Sequence, residues 1–404
     1  MQRKLWNKDY ALLLQANAVS SIGDLMYSVA IGYWVYQNTG SNALMGIMSS
    51  ISMFVTMFLS PFTGSIIDKC NRKWVIVGVD IIQGLLMLAV GALAYTNTLN
   101  VPGVLIVAFL AAFGSVFYSP AVSTLMIDII PPDEMVRGRS IHSGVMSTIS
   151  LVGSAFSGMM VAFFGVPLIV VINGISNLYS AVSELFVKVP RTAQQGESVT
   201  VKSVLKDTGM AVKTIFSDRF MKLFVPACLI INLLSSGAFT LILPFCLEKG
   251  FTVEMNGYLQ AIFTCGSLIC VVLIGIFKLS PRMRYWTMSL GFVLSEISLL
   301  AGYCSNSFIS VCIFAFMGAF FNCAGNSIFN AAITLALPEE NRGAILGFIS
   351  AASVGGSALS ALIYGVLGDL FPLYLVFAAG SIISLIPMVY LCFDKRTKQF
   401  ILSH

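Results

Sequence analysis

The stretch Val101–Arg139, VPGVLIVAFLAAFGSVFYSPAVSTLMIDIIPPDEMVRGR, decides the fold. From Val101 to Ile127 it holds no charged residue, and about 20 apolar residues suffice to carry a helix across a bilayer. Hydrocarbon offers backbone amides no outside partner, so a crossing segment is a helix or a strand of a closed barrel. The run lacks the strict alternation of a barrel strand, which leaves the helix. Its basic residues, Arg137 and Arg139, stand at one end only. Comparable apolar runs lie near 10–36, 43–67, 74–96, 140–164, 166–187, 220–247, 255–277, 285–304, 307–336, 344–367 and 371–393. With both ends of the chain in the cytoplasm, this pattern puts every Lys and Arg except Lys249 on the inner side. Retention of Lys and Arg in cytoplasmic loops is the rule for helical membrane proteins. The expected fold class is an all-α membrane protein with twelve transmembrane helices and both termini cytoplasmic.

Composition agrees with lipid as the solvent, since 57% of residues are hydrophobic and only 10% charged. The formal charge of +5 therefore reflects orientation and contact with anionic headgroups; no nucleic-acid patch accompanies it. The nine cysteines include no C-x-x-C pair and read as packing residues. His142 and His404 are too far apart in sequence to suggest a metal site. The chain has no P-loop or other nucleotide-binding motif, so direct use of ATP is not expected, and no cofactor is. Ala16-Asn17-Ala18 superficially suggests a signal cleavage site, but the apolar run before it spans only Ala11 to Leu14. That is too short for a signal core, and the segment reads as a retained first helix.

The longest polar interval, 189–218, separates an N-terminal six-helix bundle, 1–188, from a C-terminal one, 219–404. Within it Val201, Val204, Leu205, Val212, Ile215 and Phe216 recur at helical spacing among lysines. The pattern fits a short helix on the cytoplasmic surface; a disordered linker with chance periodicity fits equally. The two halves resemble one another. GSVFYSPA from Gly114 is echoed by GAFFNCAG from Gly318, PDEMVRG from Pro132 by PEENRG from Pro338, and SAFS from Ser154 by SALS from Ser357. The matches keep their order and are all displaced by about half the chain, which argues for duplication. Two parallel six-helix repeats suit alternating access about an axis normal to the membrane.

Polar side chains in lipid normally face other helices or a wet cavity. Residues four apart share a helix face, and four spans carry such stripes. They are Asn17, Ser21, Asp24 and Ser28; Ser115, Ser119 and Ser123; Asn232, Ser236 and Thr240; and Asn322, Asn326 and Asn330. Tyr27 adds a ring able to stack on an amphipathic substrate. Simple interhelical hydrogen bonding explains any one stripe, whereas four at repeat-related positions favour a wet pathway. The sixth span bears its own stripe of Asn173, Asn177, Ser180 and Glu184. Gly153, Ser154, Ser157 and Gly158 in the fifth read as close helix contact or a hinge.

Asp24 is the first candidate for proton coupling. It lies near mid-membrane with no Lys or Arg expected at its depth. A carboxyl that ionises when a cavity opens to water and protonates when it closes couples proton movement to substrate movement. The alternative is a neutral Asp bonded to a neighbouring helix, for example to Asn232 or Asn326. Glu296 is the other deep acid, with a structural or lipid-facing role as its alternative. Asp80, Asp128 and Glu184 are expected to pair with basic loops, Asp128 with Arg137 or Arg139.

The loop GSIIDKCNRK, Gly64–Lys73, resembles the signature of the major facilitator superfamily, in which a Gly, an Asp four residues on and a basic cluster join helices two and three. The run FYSPAVSTLMIDIIPPDEMVRGRSIHS, Phe117–Ser143, is similar to the branch containing macrolide-efflux proteins and the enterobactin exporter. The resemblance implies that the first and fourth helices of each half line a central cavity. It also implies that Gly64, Asp68, Arg72 and Lys73 form a conformational latch, with Asp68 offered to the amides of Asn341 to Ala344 and Asn71 standing where a Gly with positive φ is usual. Two departures are visible. Ala111 stands where drug–proton antiporters often carry Arg, and Gly153–Gly158 lacks the proline of the helix-five antiporter motif.

The expected function is secondary transport, namely proton-coupled export of lipophilic or amphipathic small molecules by a rocker-switch mechanism. A siderophore or metabolite exporter and an uptake carrier are the alternatives within transport; a non-transporting scaffold or receptor is the alternative outside it. An enzyme would need clustered His, Cys or acids near one interface, and none is evident. The expected partners are a small-molecule substrate, the proton and membrane lipids. The chain is expected to be a monomer in the cell membrane of a bacterium.

Overall fold

The computed structural model describes residues 5–188, 209, 213, 221–277, 279–336, 342–394, 397 and 398. The side chains of Asp68 and Lys69 also lie outside the described residues, as does nearly all of the 189–218 interval with its expected surface helix. The described chain is helical throughout. Its helices are α1 Lys8–Thr39, α2 Asn42–Lys69, α3 Arg72–Tyr95, α4 Val101–Ile129, α5 Met135–Leu185 and α6 Met221–Thr240. They continue as α7 Ile242–Glu248, α8 Val253–Ile276, α9 Pro281–Cys304, α10 Phe308–Ala336, α11 Arg342–Leu370 and α12 Leu373–Phe393.

Local sequence sets these boundaries. Asn7 caps α1 by accepting the Tyr10 N–H at 2.8 Å, and Gly40 closes it in the left-handed region at φ 63°, as helix termini require. Asn100 caps α4 through the Gly103 N–H at 2.8 Å, with a proline in the first turn. Ser280 and Pro281 open α9 in the same manner.

Among the described residues nine helices are long and apolar enough to cross a membrane, or ten if the pair α6–α7, bent by 54°, counts as one span. One of the nine is the 54-residue run Pro132–Leu185. As a straight rod it would measure about 80 Å, far beyond a hydrocarbon core of about 30 Å. Gly165, at φ 73° and ψ 164°, followed by Pro167, breaks it into arms 135–164 and 166–185. α1 is not among the nine. Its only exposed large hydrophobic residue is Ile22, while Gln15, Asp24 and Ser28 are open. A helix with so little apolar surface to offer lipid has no need of high hydropathy.

The chain divides into two compact units, residues 1–40 with 51–201 and residues 41–50 with 202–404. The first is built inside out relative to a water-soluble protein. Along the second arm of α5, Leu168, Ile175, Tyr179 and Val182 are exposed, whereas Asn173, Asn177, Ser180 and Glu184 are buried. Lipid solvates the apolar face, and the polar atoms turn inward. α3 meets this arm through glycines. A Cβ on Gly174 would stand 2.9 Å from the Gly84 carbonyl oxygen, and one on Gly84 would stand 3.0 Å from that of Gly174. At one end of the unit Tyr10, Leu13, Ile76, Leu125 and Ile129 form an apolar core.

In the second unit Phe245 stacks on Phe377 at 5.3 Å, with Tyr303 edge-on to both. α12 exposes Ile382, Ile383, Ile386 and Phe393. Lys249, the one basic residue expected outside, donates to the Ser305 carbonyl at 2.9 Å and lies 5.2 Å from the Tyr374 ring centroid. Glu248 accepts the Leu373 N–H at 2.9 Å at the start of α12.

Candidate functional site

α1 carries the expected polar stripe, and its neighbours separate the members. Asn17 is buried and accepts the Tyr118 hydroxyl at 2.6 Å. Ser21 is half-buried, with its hydroxyl 3.6 Å from the Met146 sulfur. Asp24 and Ser28 are exposed, and Tyr27 is half-buried. Asp24 therefore keeps open surface. Its carboxyl lies near the side-chain amides of Asn173 and Asn177 on α5. The close approach follows from Gly23, where a Cβ would stand 2.6 Å from Asn173 Oδ1.

On α4, Ser115, Ser119 and Ser123 are all exposed. Ile106, Phe109, Leu110 and Phe113 are exposed as well. At about 100° per residue the two sets are centred about 130° apart around the helix, one suited to lipid and one to water. Gln83 from α3 donates to Ser115 Oγ at 3.1 Å and to the Ala111 carbonyl at 3.0 Å, filling the neighbourhood where antiporters often place Arg.

In the second unit Asn232, Ser236, Thr240, Asn322 and Asn326 are half-buried, and Asn330 is exposed. Ser236 accepts from Ser357 at 2.9 Å, and Asn326 donates to Asn322 Oδ1 at 2.8 Å. Part of the α6 stripe is thus helix-to-helix bonding within the unit, whereas this bond of the α10 stripe runs along its own helix. A cavity of about 170 Å³ lies among Phe239, Phe245, Gln260, Phe263, Thr264 and Tyr303. That volume is close to a cavity that holds benzene, so it fits one ring or a short alkyl branch.

Four expectations are corrected. Asn71 has φ −73°, so no left-handed residue is needed there. Gly64, expected in the latch, has no atom of the described residues within 4 Å of where a Cβ would stand. Asp128 pairs with Arg72 at 2.6 Å, while Arg137 lies 3.6 Å from Glu134; α3 brings Arg72 to the end of α4, which sequence proximity did not suggest. Asp80 and Glu184 meet no basic loop. They are 2% and 0% exposed inside the first unit, and among the described residues no Lys, Arg or His pairs with either. The stripe 173–177–180–184 was the sequence signal for this buried cluster. Its inward direction became visible only with α3 and α4 beside it.

Of the remaining latch residues, Lys73 donates to the Leu185 carbonyl at 2.6 Å. The Asp68 side chain and Asn341 lie outside the described residues. Gly153, Ser154, Ser157 and Gly158 are buried in unbroken helix. A Cβ on Gly153 would meet Leu25 Cδ1 at 2.8 Å. Gly153 therefore packs α5 on α1, and the break in α5 is at Gly165. Glu296 is 3% exposed and accepts from Ser235 at 3.2 Å, with Ser381 and Ser384 nearby. It faces the interior of the second unit, not lipid.

Long apolar helices, exposed hydrophobic faces and inward polar stripes define a multi-pass helical protein of the cell membrane. The family model of the Major Facilitator Superfamily matches residues 13–279 and again 227–399. The chain belongs to that superfamily and is a membrane transporter. It is 21% identical over 273 residues to macrolide efflux protein A of Streptococcus pyogenes, covering 67% of each chain. It is 22% identical over 415 residues to the MFS-type transporter YfmI of Bacillus subtilis, covering 98% of this chain and 99% of the other. Among solved structures, a bacterial homolog of the human lysosomal transporter Spinster aligns at a TM-score of 0.70 with 14% identity, covering 98% and 95% of the two chains.

Proposed function

We propose that this chain is a twelve-span exporter of lipophilic or amphipathic small molecules, driven by the proton gradient and working by alternating access. Both termini lie in the cytoplasm. The twelve spans are reached by counting the two arms of α5 separately, joining α6 to α7 and adding α1. The observation that carries the reading is Asp24, an acid on the polar face of α1 that keeps open surface beside Asn173 and Asn177. An acid so placed exchanges a proton with water that enters beside α1. Within the first unit the hydroxyl face of α4 supplies neutral hydrogen-bonding groups for a substrate; within the second, the amides of α6 and α10 are read the same way. No Lys or Arg stands among these striped residues, which favours neutral or cationic compounds. The name of the Streptococcus pyogenes relative supports the efflux direction and the substrate class. Asp68, Arg72 and Lys73 are proposed to form the latch, through helix N-terminal amides that attract a carboxylate.

The test is resistance to macrolides, dyes and other amphipathic compounds in an expressing strain, with Asp24→Asn beside it. The wild type is expected to extrude substrate against a gradient. The variant should be expressed normally and retain exchange while losing concentrative transport. Gradient-driven export unchanged in Asp24→Asn would remove Asp24 from the mechanism. Resistance absent for every compound, with secretion seen under iron limitation, would replace the drug reading with a siderophore one.

A further inference from the structure

We propose that Glu184, with Asp80 beside it, is a proton-binding site inside the first unit, and that Tyr118 transmits its protonation to Asn17 on α1. Counting hydrogens leads there. The Tyr118 hydroxyl lies 2.6 Å from Asn17 Oδ1 and 3.0 Å from Glu184 Oε1. A phenol has a single hydrogen to donate. It cannot give a full hydrogen bond to two acceptors at once, so an arrangement in which both contacts are full bonds makes one neighbour a donor.

Two arrangements satisfy the count. In the first, Glu184 carries a proton and donates to the Tyr118 oxygen, while Tyr118 donates to Asn17 Oδ1. In the second, Glu184 is a carboxylate that accepts the Tyr118 hydrogen, and the Asn17 amide has turned so that Nδ2 donates to the Tyr118 oxygen. They differ by one proton on a Glu184 oxygen and a half-turn of one amide; no other bond forms or breaks. Asn17 presents Oδ1 to the phenol, and its buried Nδ2 has no partner; the half-turn of the second arrangement would supply one, so the surroundings of the carboxyl decide between the two.

The surroundings favour a bound proton over two bare charges. Glu184 and Ser180 are 0% exposed and Asp80 2%. Glu184 Oε2, Asp80 Oδ2 and Ser180 Oγ are all buried without a hydrogen-bond partner. Ser180 stands beside both Asp80 and Tyr118, and the carboxyls of Asp80 and Glu184 lie within each other's field. Burying one uncompensated carboxylate costs several kcal/mol, and two like charges in one site cannot both ionise freely. The titratable groups facing the pair are Tyr118 from α4 and, beyond Asp80, Asp24 from α1. The two cations at the start of α3 are engaged elsewhere, Arg72 with Asp128 and Lys73 with the Leu185 carbonyl. Asn17 shares the face of α1 that carries Ser21 and Asp24, so its amide registers the proton on that helix.

The site rests on the proton-coupled reading only for its use in transport, and proton binding itself is measured without transport. Infrared difference spectra of the full chain in lipid nanodiscs, between acidic and alkaline buffer, are expected to contain a protonated-carboxyl band. Glu184→Gln should delete it. Tyr118→Phe should keep it at a shifted frequency, since the acid loses its acceptor, and Asp80→Asn should move its titration midpoint. A spectrum unchanged by Glu184→Gln in folded protein overturns the proposal. If that variant does not fold, an unmoved band and midpoint in both Tyr118→Phe and Asp80→Asn overturn it equally. Loss of the band on replacing choline chloride by sodium chloride at constant pH would make this a sodium site instead. An intact, Glu184-dependent band in a protein that exports nothing under a proton gradient would sink the coupled-export reading and leave this site standing.

Discussion

The carboxylate of Asp369, in the last turn of α11, accepts the backbone N–H of Asn42 at 2.5 Å and that of Ala43 at 3.3 Å, with Ser41 Oγ donating to it at 2.8 Å. An acid remote in sequence thus caps α2. The Asn42 side chain returns a bond to the Gly368 carbonyl at 2.9 Å. Small residues let the segments meet: Ser50 donates to the Ala358 carbonyl at 2.7 Å, and Gly365 leaves no room for a Cβ against Ala43. Removing a helix cap costs about 1 kcal/mol. Asp369→Ala is expected to lower the melting temperature of detergent-solubilised protein by a few degrees, and Asp369→Asn by less. Equal melting of the wild type and both variants would show the cap to be idle.

Arg72 and Asp128 form the one close ion pair between α3 and α4 among the described residues. Asp128 is largely covered, so stripping its partner leaves a poorly solvated carboxylate. Arg72→Ala is expected to destabilise the fold by about 1–3 kcal/mol, because an unpaired covered charge costs more than an exposed pair gains. The double variant Arg72→Ala with Asp128→Ala should recover part of that loss. A double-mutant cycle on thermal or denaturant unfolding measures it, and a coupling energy near zero would contradict the prediction.

The reciprocal contact of Gly84 and Gly174 leaves no space for a side chain at either position. Gly174→Leu is expected to cost about 1–3 kcal/mol or more through overpacking, and to reduce the monodisperse fraction in size-exclusion chromatography. Gly144, which among the described residues has no atom within 4 Å of an added Cβ, is the control; Gly144→Ala should behave as wild type.

Topology is tested by single cysteines in a background cleared of native ones. Cysteine at Lys69 and at Arg139 should react with an impermeant maleimide only from the cytoplasmic side, and cysteine at Lys249 only from outside. Labelling of the first two from opposite faces would break the expected orientation.

Much of the architecture was legible because membrane insertion is a local test. Each apolar run is judged by length, and each Lys or Arg by the side on which it leaves the run. α4, an apolar run of 29 residues, illustrates this. The stripe on α1 was legible through its period, and Asp24 through its isolation in apolar surroundings. Direction was not legible. A period of 3.6 says which residues share a face but not what the face meets, so Glu296 read as peripheral and Glu184 as a loop partner. Both are interior.

The amino-acid order alone determined that this chain is helical and crosses lipid repeatedly, because backbone desolvation acts residue by residue along the chain. Tertiary structure decided the pairings: Arg72 with Asp128, Asp369 with Asn42, and Tyr118 between Asn17 and Glu184. Those partners lie far apart in sequence, and hydrogen bonds depend on distances that only packed helices set.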